Sequence, residues 1–246
     1  MDRNESAPAI VVKTDIGRGS DKTVTLLSPD WGVVKVTVYG ARKSIKSVRA
    51  PLYTEGVFNL YHVRDKNRYS LVDLTSISAH ERIGESYEAS AAAAFMSELI
   101  LLQRGTDSPS YYNLFTSALD YLEDFSYYYK RTLVQFLLRY LALSGFQPDF
   151  EACPVCLRGY REGETLGFNT AMLSPCCSEC DDTGLSRPLP PNARAYLRDS
   201  AKVELKEAMT YQVSEVQTGR ILRYLTRLAQ NCLGVSFKSL SSGLLD

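Results

Sequence analysis

Two Cys-x2-Cys pairs constrain this chain more than any other feature. Cys153-Pro154-Val155-Cys156 and Cys177-Ser178-Glu179-Cys180 are separated by twenty residues. The spacing is at the long end of the zinc-ribbon pattern, in which two knuckles bring four thiolates onto one Zn2+. A four-sulfur shell leaves no open coordination position, so the expected ion is structural and not catalytic. Such a clasp would hold residues 151–187 as an irregular excursion with little core of its own. Cys176 offers a competing Cys-x3-Cys spacing with Cys180. Knuckle geometry favours Cys177, with Cys176 the alternative third ligand. Reduced structural cysteines, or a redox pair, are the competing account of the whole set. Cys232 lies among apolar neighbours near the C-terminus and reads as buried.

Few catalytic arrangements can be built from what else is present. His62 and His80 are the two histidines of the 246 residues. A zinc deaminase needs His-x-Glu feeding Pro-Cys-x-x-Cys, whereas Glu81 follows His80 directly and Pro175-Cys176-Cys177 has the wrong spacing. No catalytic triad and no Gly-rich phosphate loop is suggested, so a non-enzyme is expected. Met1 to Pro8 is polar, and Ile10-Val11-Val12 is too short for a signal-peptide core. No window approaches the ~18 apolar residues of a membrane span. A cytoplasmic protein with no membrane association is expected, and cysteines there point to metal before disulfides.

The hydrophobic pattern changes period along the chain. Ala9 to Thr14, Lys22 to Leu27, Val33 to Tyr39, Leu52 to Tyr61 and Tyr69 to Ile77 read as short strands. Ser28-Pro29-Asp30-Trp31-Gly32 is a turn signal between two of them. Five short strands without helical periodicity predict an OB-type barrel over residues 1–80, because closure removes sheet edges; a small open sheet is the alternative. Residues 86–104, Tyr111 to Phe125 and Ser126 to Leu143 then read as helices. Leu133, Phe136, Leu137, Tyr140 and Leu141 fall on one face of the last. After the cysteine-rich segment and a Pro-rich connector, Asn192 to Ser200, Val203 to Met209 and Glu215 to Asn231 are helical again. The fold class is therefore α+β and multi-domain: a barrel over 1–80, a helical bundle over 81–150 and 188–246, and an embedded four-cysteine zinc finger over 151–187.

The formal net charge is zero, yet residues 1–80 hold twelve Lys and Arg against eight Asp and Glu. That excess points to a nucleic-acid face on the first part. Its centre is Gly40-Ala41-Arg42-Lys43-Ser44-Ile45-Lys46-Ser47-Val48-Arg49, with four cations and no acid. Each cation that neutralises a phosphate releases a condensed counterion, giving salt-dependent, sequence-independent affinity. Arg42, Lys43, Lys46 and Arg49, with Lys22 and Lys35 nearby, are the candidate phosphate contacts. Arg18 could extend the track, and the bland alternative is a solvated charged loop. Trp31 at a hairpin tip and Tyr39 could stack on bases, although packing is the competing role, and the favoured one for Tyr39, Phe58 and Tyr61. Of Tyr127-Tyr128-Tyr129, one ring is expected to face the core.

These segments resemble the RecO family of recombination mediators. Ser20 to Leu27 through Trp31-Gly32 and Gly40-Ala41-Arg42-Lys43 resembles the family's amino-terminal segment. Phe136 to Asp149 running into Cys153-x2-Cys156 resembles its central helix and zinc site, and Leu233 to Leu240 is similar to its ending. The resemblance implies an OB barrel, a helical bundle and a zinc finger in a supporting role. It also implies binding to single- and double-stranded DNA, annealing of complementary strands, and partnership with RecR and single-stranded DNA-binding protein in loading RecA. A nucleoid-associated location follows from that role. Where the family often has a glycine pair before the third cysteine, this chain has Met172-Leu173-Ser174-Pro175, so the finger is expected to turn differently. A zinc-ribbon RNA-binding factor and a protein-interaction adapter are the alternative functions.

Overall fold

A computed structural model describes residues 4–17, 19–41, 48–63, 68–103, 107–184, 186 and 188–242. The chain forms two compact units, Met1–Asp124 and Phe125–Asp246.

The first unit is built on five strands, β1 (Asn4–Ile16), β2 (Lys22–Ser28), β3 (Gly32–Val38), β4 (Glu55–Val63) and β5 (Arg68–Ser78). They close in the order β1-β2-β3-β5-β4. β1 runs antiparallel to both β2 and β4, and closure comes from a short parallel pairing of Val36 with Tyr69 and Thr37 with Ser70. This is the expected OB-type barrel, with β1 and β5 longer than the residue pattern indicates and β4 starting three residues later than expected, at Glu55. Alternate side chains fill it: Val24 and Leu26, Val36 and Val38, Phe58 and Leu60, with Ala9, Val11 and Leu71. Period-2 alternation places these residues on one face of each strand.

Gly56 sits where β4 shifts register against β5, and a Cβ there would lie 2.3 Å from the Thr75 carbonyl oxygen. Only glycine allows that approach.

Thr25 and Leu27, on the outer face of β2, are also buried. The reason is α1 (Tyr87–Leu101) and α2 (Ser108–Asp124), which pack on the barrel's outside. Ser86 caps α1 by accepting from the Ala89 N–H at 3.2 Å, satisfying one of the donors that a helix start leaves unpaired. α1 buries Ala92, Ala93, Phe95, Met96, Leu99 and Ile100, which explains why its sequence shows little polar striping.

The second unit packs α3 (Tyr129–Leu143) against α6 (Glu215–Leu233), with α4 (Pro191–Ser200) and a one-turn α5 (Leu205–Ala208) beside them. The expected α3 stripe, Leu133, Phe136, Leu137, Tyr140 and Leu141, is fully buried. It meets an α6 face of Ile221, Leu222, Leu225, Leu228 and Ala229. Burying a Leu or Phe side chain stabilises by roughly 1.5–3 kcal/mol, so this seam is the main source of order in the unit.

A polar network joins α3 to α4 and the segment that follows it. Gln135 is buried and donates to the Tyr196 hydroxyl at 2.8 Å and to Ser200 Oγ at 3.1 Å. Arg139 donates to Gln135 Oε1 at 2.5 Å and to the carbonyls of Ser200 and Val203 at 3.1 and 2.6 Å.

Helical order begins later than the residue pattern suggests. Ser126–Tyr128 is a 3-10 turn, and α3 starts at Tyr129. No ring of the Tyr127–Tyr129 run is buried. Tyr127 is 73% exposed, while the Arg131 guanidinium lies 5.0 Å over the Tyr128 ring. No helix among the described residues is long and apolar enough to cross a membrane.

Candidate metal centre and nucleic-acid interface

The excursion between α3 and α4 is held by short-range hydrogen bonds and not by a large core. Ala152 bridges Gly159, and Leu166 bridges Leu189. A hairpin of β6 (Gly167–Asn169) and β7 (Ser174–Cys176) carries the chain to the second cysteine pair. The turn between them contains no glycine; Leu173 adopts φ 47, a conformation usually left to glycine. Asn169 steadies it by accepting from the Met172 N–H at 2.9 Å and donating to the Cys180 carbonyl at 3.1 Å.

Gly167 is dictated by Asp181. A Cβ at Gly167 would stand 2.5 Å from the Asp181 Cβ, while Asp181 Oδ1 accepts from the Phe168 N–H at 2.8 Å. Arg158 pairs with Glu164 through hydrogen bonds of 3.0 and 2.6 Å, and this holds the Glu164 carboxyl down at about 2.

This framework brings Cys153, Cys156, Cys177 and Cys180 together, with all four sulfurs within 4.8 Å of one another. Sγ of Cys156 and Sγ of Cys177 are 3.8 Å apart. A tetrahedron with zinc–sulfur bonds of about 2.3 Å has edges of about 3.8 Å, whereas a disulfide needs about 2.05 Å. The donor set therefore fits a tetrahedral metal ion and not a disulfide. In the first knuckle, the Leu157 N–H donates to the Cys153 carbonyl at 2.8 Å; in the second, the Cys180 N–H donates to the Cys177 carbonyl at 3.0 Å.

Charge is shared unequally among the thiols. Burial opposes ionisation of Cys153, yet N–H groups of Cys156, Cys177 and Val155 bring its thiol down to about 6. Hydrogen bonding with Cys177, then burial, pushes the Cys180 thiol up. A central dication is the group that would let all four ionise together. Cys176 stands outside the cluster, buried, and burial beside the other thiols pushes it up to about 12.

The candidate phosphate contacts are distributed unevenly. Lys22 and Arg49 are exposed and line one groove on the barrel, of about 330 Å3, with Val24, Val38, Ala41 and Val48. Asp21, next to Lys22, accepts from the Gly40 N–H at 2.9 Å, which ties the β1–β2 connection to the end of β3. Lys35 is exposed on β3, paired in register with Thr25, and is not part of that groove. Arg42, Lys43 and Lys46 lie outside the described residues, as does Arg18. By connectivity, 42–47 joins Ala41 to Val48, both of which line the groove. Of the aromatics, Trp31 packs partly buried against the barrel core, Phe58 is buried within it, and Tyr39 is 65% exposed.

Two features are not announced by any sequence pattern described above. Glu55, His80 and Asp120 bring a nitrogen and two carboxylates within 4.8 Å. His80 Nδ1 is 2.8 Å from the Tyr53 carbonyl and Nε2 is 2.9 Å from Asp120 Oδ1. Both partners accept, so the hydrogen bonds describe an imidazolium held between the barrel and α2. Burial works against that charge, but the hydrogen bonds to Asp120 and Tyr53 and the charges of Asp120 and Glu123 raise the His80 pKa. The second feature is a row of arginines on α6, Arg220, Arg223 and Arg227, beside the hairpin residue Phe168. Helical spacing encodes that row, but it stands on the face opposite the apolar stripe from which the helix is recognised.

Comparison with known proteins agrees with the arrangement. The chain is similar to the DNA repair protein RecO of Rubrobacter xylanophilus, 26% identical over 207 residues that cover 83% of each protein. It is similar to that of a Thermoanaerobacter species, 23% identical over 236 residues that cover 94% of this chain and 93% of the relative. With that of a Synechocystis species it shares 31% identity over 162 residues, 63% of this chain and 59% of the relative. A family model described as "Recombination protein O C terminal" matches residues 84–241, which include both α1–α2 and the cysteine cluster. On that match the chain belongs to the recombination protein O family.

Proposed function

We propose that this protein is a DNA-binding recombination mediator in DNA repair and performs no bond chemistry of its own. The observation that carries this reading is the barrel groove. It collects Lys22 and Arg49, and the Arg42–Lys43–Lys46 segment is connected to two of its walls. A cationic groove with few fixed side-chain acceptors suits a sugar–phosphate chain of any sequence. The names of the relatives, each a DNA repair protein, support placing the activity in repair. On this reading the protein binds single- and double-stranded DNA and anneals complementary strands. With RecR and single-stranded DNA-binding protein as partners, it helps load RecA, and it works at the nucleoid.

Zinc is proposed as the ion of the cysteine cluster, held by Cys153, Cys156, Cys177 and Cys180. With no open position, it would brace the excursion and take no part in DNA chemistry. Replacing Lys22, Arg42, Lys43, Lys46 and Arg49 by alanine tests the groove. Fluorescence anisotropy with a labelled oligonucleotide should show weaker binding and a flatter dependence of log affinity on log salt. The slope should fall by about 0.7 for each phosphate of a single strand that is no longer neutralised. A variant with the parental slope would remove the groove from the account. Equal affinity for matched RNA would favour an RNA-binding factor instead.

A further inference from the structure

We infer that the exposed face of α6 is a second phosphodiester-binding site, carried by Arg220, Arg223 and Arg227, so that one molecule holds two strands at once. The inference rests on the DNA-binding reading above and extends it to a different unit of the protein.

The placement follows from helical geometry. The three arginines are at i, i+3 and i+7, hence on one face, and span about 10 Å along the axis. All are exposed, as is Asn231 at the next turn. The opposite face, Ile221, Leu222, Leu225, Leu228 and Ala229, is committed to packing. Within α6 the sole acid is Glu215 in the first turn, and no Asp or Glu is interleaved with the arginines. Like charges three and four residues apart oppose helix formation, a cost that a bound anion would offset.

The row is also concave. Arg220, Arg223, Arg227 and Asn231 line a cavity of about 120 Å3 whose far wall is Phe168, Ser186 and Pro188. Phe168 meets Tyr224 edge-on, with ring centroids 6.5 Å apart, which fixes the hairpin wall against the helix. Guanidinium groups bind phosphate oxygens through paired N–H donors, and three of them along one shallow trough suit consecutive phosphates of a strand. The described lining has no carboxylate that would repel such a strand. Two cationic tracks, one on each unit, supply what annealing requires: simultaneous possession of two strands by one molecule.

The test compares the full-length protein with R220Q/R223Q/R227Q and with the charge-preserving R220K/R223K/R227K. Binding to labelled oligo-dT is followed between about 50 and 200 mM salt. Removing three phosphate-neutralising charges lowers the slope by about 2, so the wild type should lose about 20-fold more affinity over that range than the Gln variant. The Lys variant should restore most of the slope. A second readout is capture of two non-complementary oligonucleotides, carrying a donor and an acceptor dye, on one protein molecule. The Gln variant should still bind one strand through the barrel but lose the energy transfer. Circular dichroism and a melting temperature no lower than that of the wild type verify that the exposed substitutions leave α6 folded. A Gln variant with wild-type slope and wild-type two-strand capture would overturn the proposal. So would one that keeps both but no longer binds a polyglutamate peptide, which would make the face a protein-docking site. Absence of all oligonucleotide binding by the wild type would defeat the DNA reading itself, a different result from failure of α6 alone.

Discussion

His80 makes the stability of the first unit depend on pH in a direction set by its surroundings. Its side chain is fully buried, and both ring nitrogens face acceptors, the Tyr53 carbonyl and Asp120 Oδ1. The charged groups around it are Asp120 and Glu123 from α2 and Glu55 from β4, and Glu55 in turn accepts from the Tyr112 hydroxyl at 2.7 Å. The pKa of His80 is raised in the folded protein. A raised folded value means that the imidazolium's contribution is fully present below the unfolded value, about 6.5. It is lost as pH rises through the higher folded value.

The magnitude comes from the Asp120 hydrogen bond. Hydrogen bonds to charged groups contribute about 1.5–3 kcal/mol, and Asp120 is 63% exposed, so the lower end applies, about 1.5 kcal/mol. At about 2–4 °C per kcal/mol for a chain of this size, that is roughly 3–6 °C in Tm. Asp120→Asn keeps an oxygen acceptor and removes the charge. By scanning fluorimetry the wild type should melt about 3–6 °C above Asp120→Asn near pH 5.5, and the gap should shrink as pH rises past the folded pKa. A gap that stayed constant up to about pH 9 would refute the imidazolium assignment.

Three further outcomes follow from particular residues. Cys153→Ser should lose the bound metal, read as zinc released to a colorimetric chelator after thiol modification, whereas Cys176→Ser should keep one ion per chain; equal loss would move Cys176 into the ligand set. Gly167→Ala forces a methyl against Asp181, so it should loosen the finger. Limited proteolysis should then cut within 151–187 faster than in the wild type, and an unchanged rate would mean the hairpin shifts at no cost. Arg139→Met leaves the Gln135 oxygen and the Ser200 and Val203 carbonyls without that donor and should cost about 1–3 kcal/mol in urea unfolding of the second unit. A cost under about 1 kcal/mol would show that water replaces the guanidinium.

Much of the barrel was legible because each strand alternates, and alternation reports which residues face inward. It was least informative on β2, where Thr25 and Leu27 are buried by helices that no local pattern announces. The helices were readable from the apolar stripes of α3 and α6. Their ends were not, since Ser126–Tyr128 tightens into a 3-10 turn and the segment expected over Val203 to Met209 is helical only over Leu205–Ala208. The four clustered cysteines were readable from spacing alone, because a knuckle's geometry is local. His80 was not, because its partners Tyr53 and Asp120 lie 27 and 40 residues away. The arginine row on α6 is hidden for a different reason: the apolar face of an amphipathic helix says nothing about the composition of its wet face.

The most direct measurement is annealing of complementary oligonucleotides precoated with single-stranded DNA-binding protein, followed by energy transfer between end labels. Wild-type protein should accelerate duplex formation, and the variant lacking the barrel cations at 22, 42, 43, 46 and 49 should not, although its zinc content is unchanged. Annealing at the uncatalysed rate with wild-type protein, in dilute as well as physiological salt, would contradict the account.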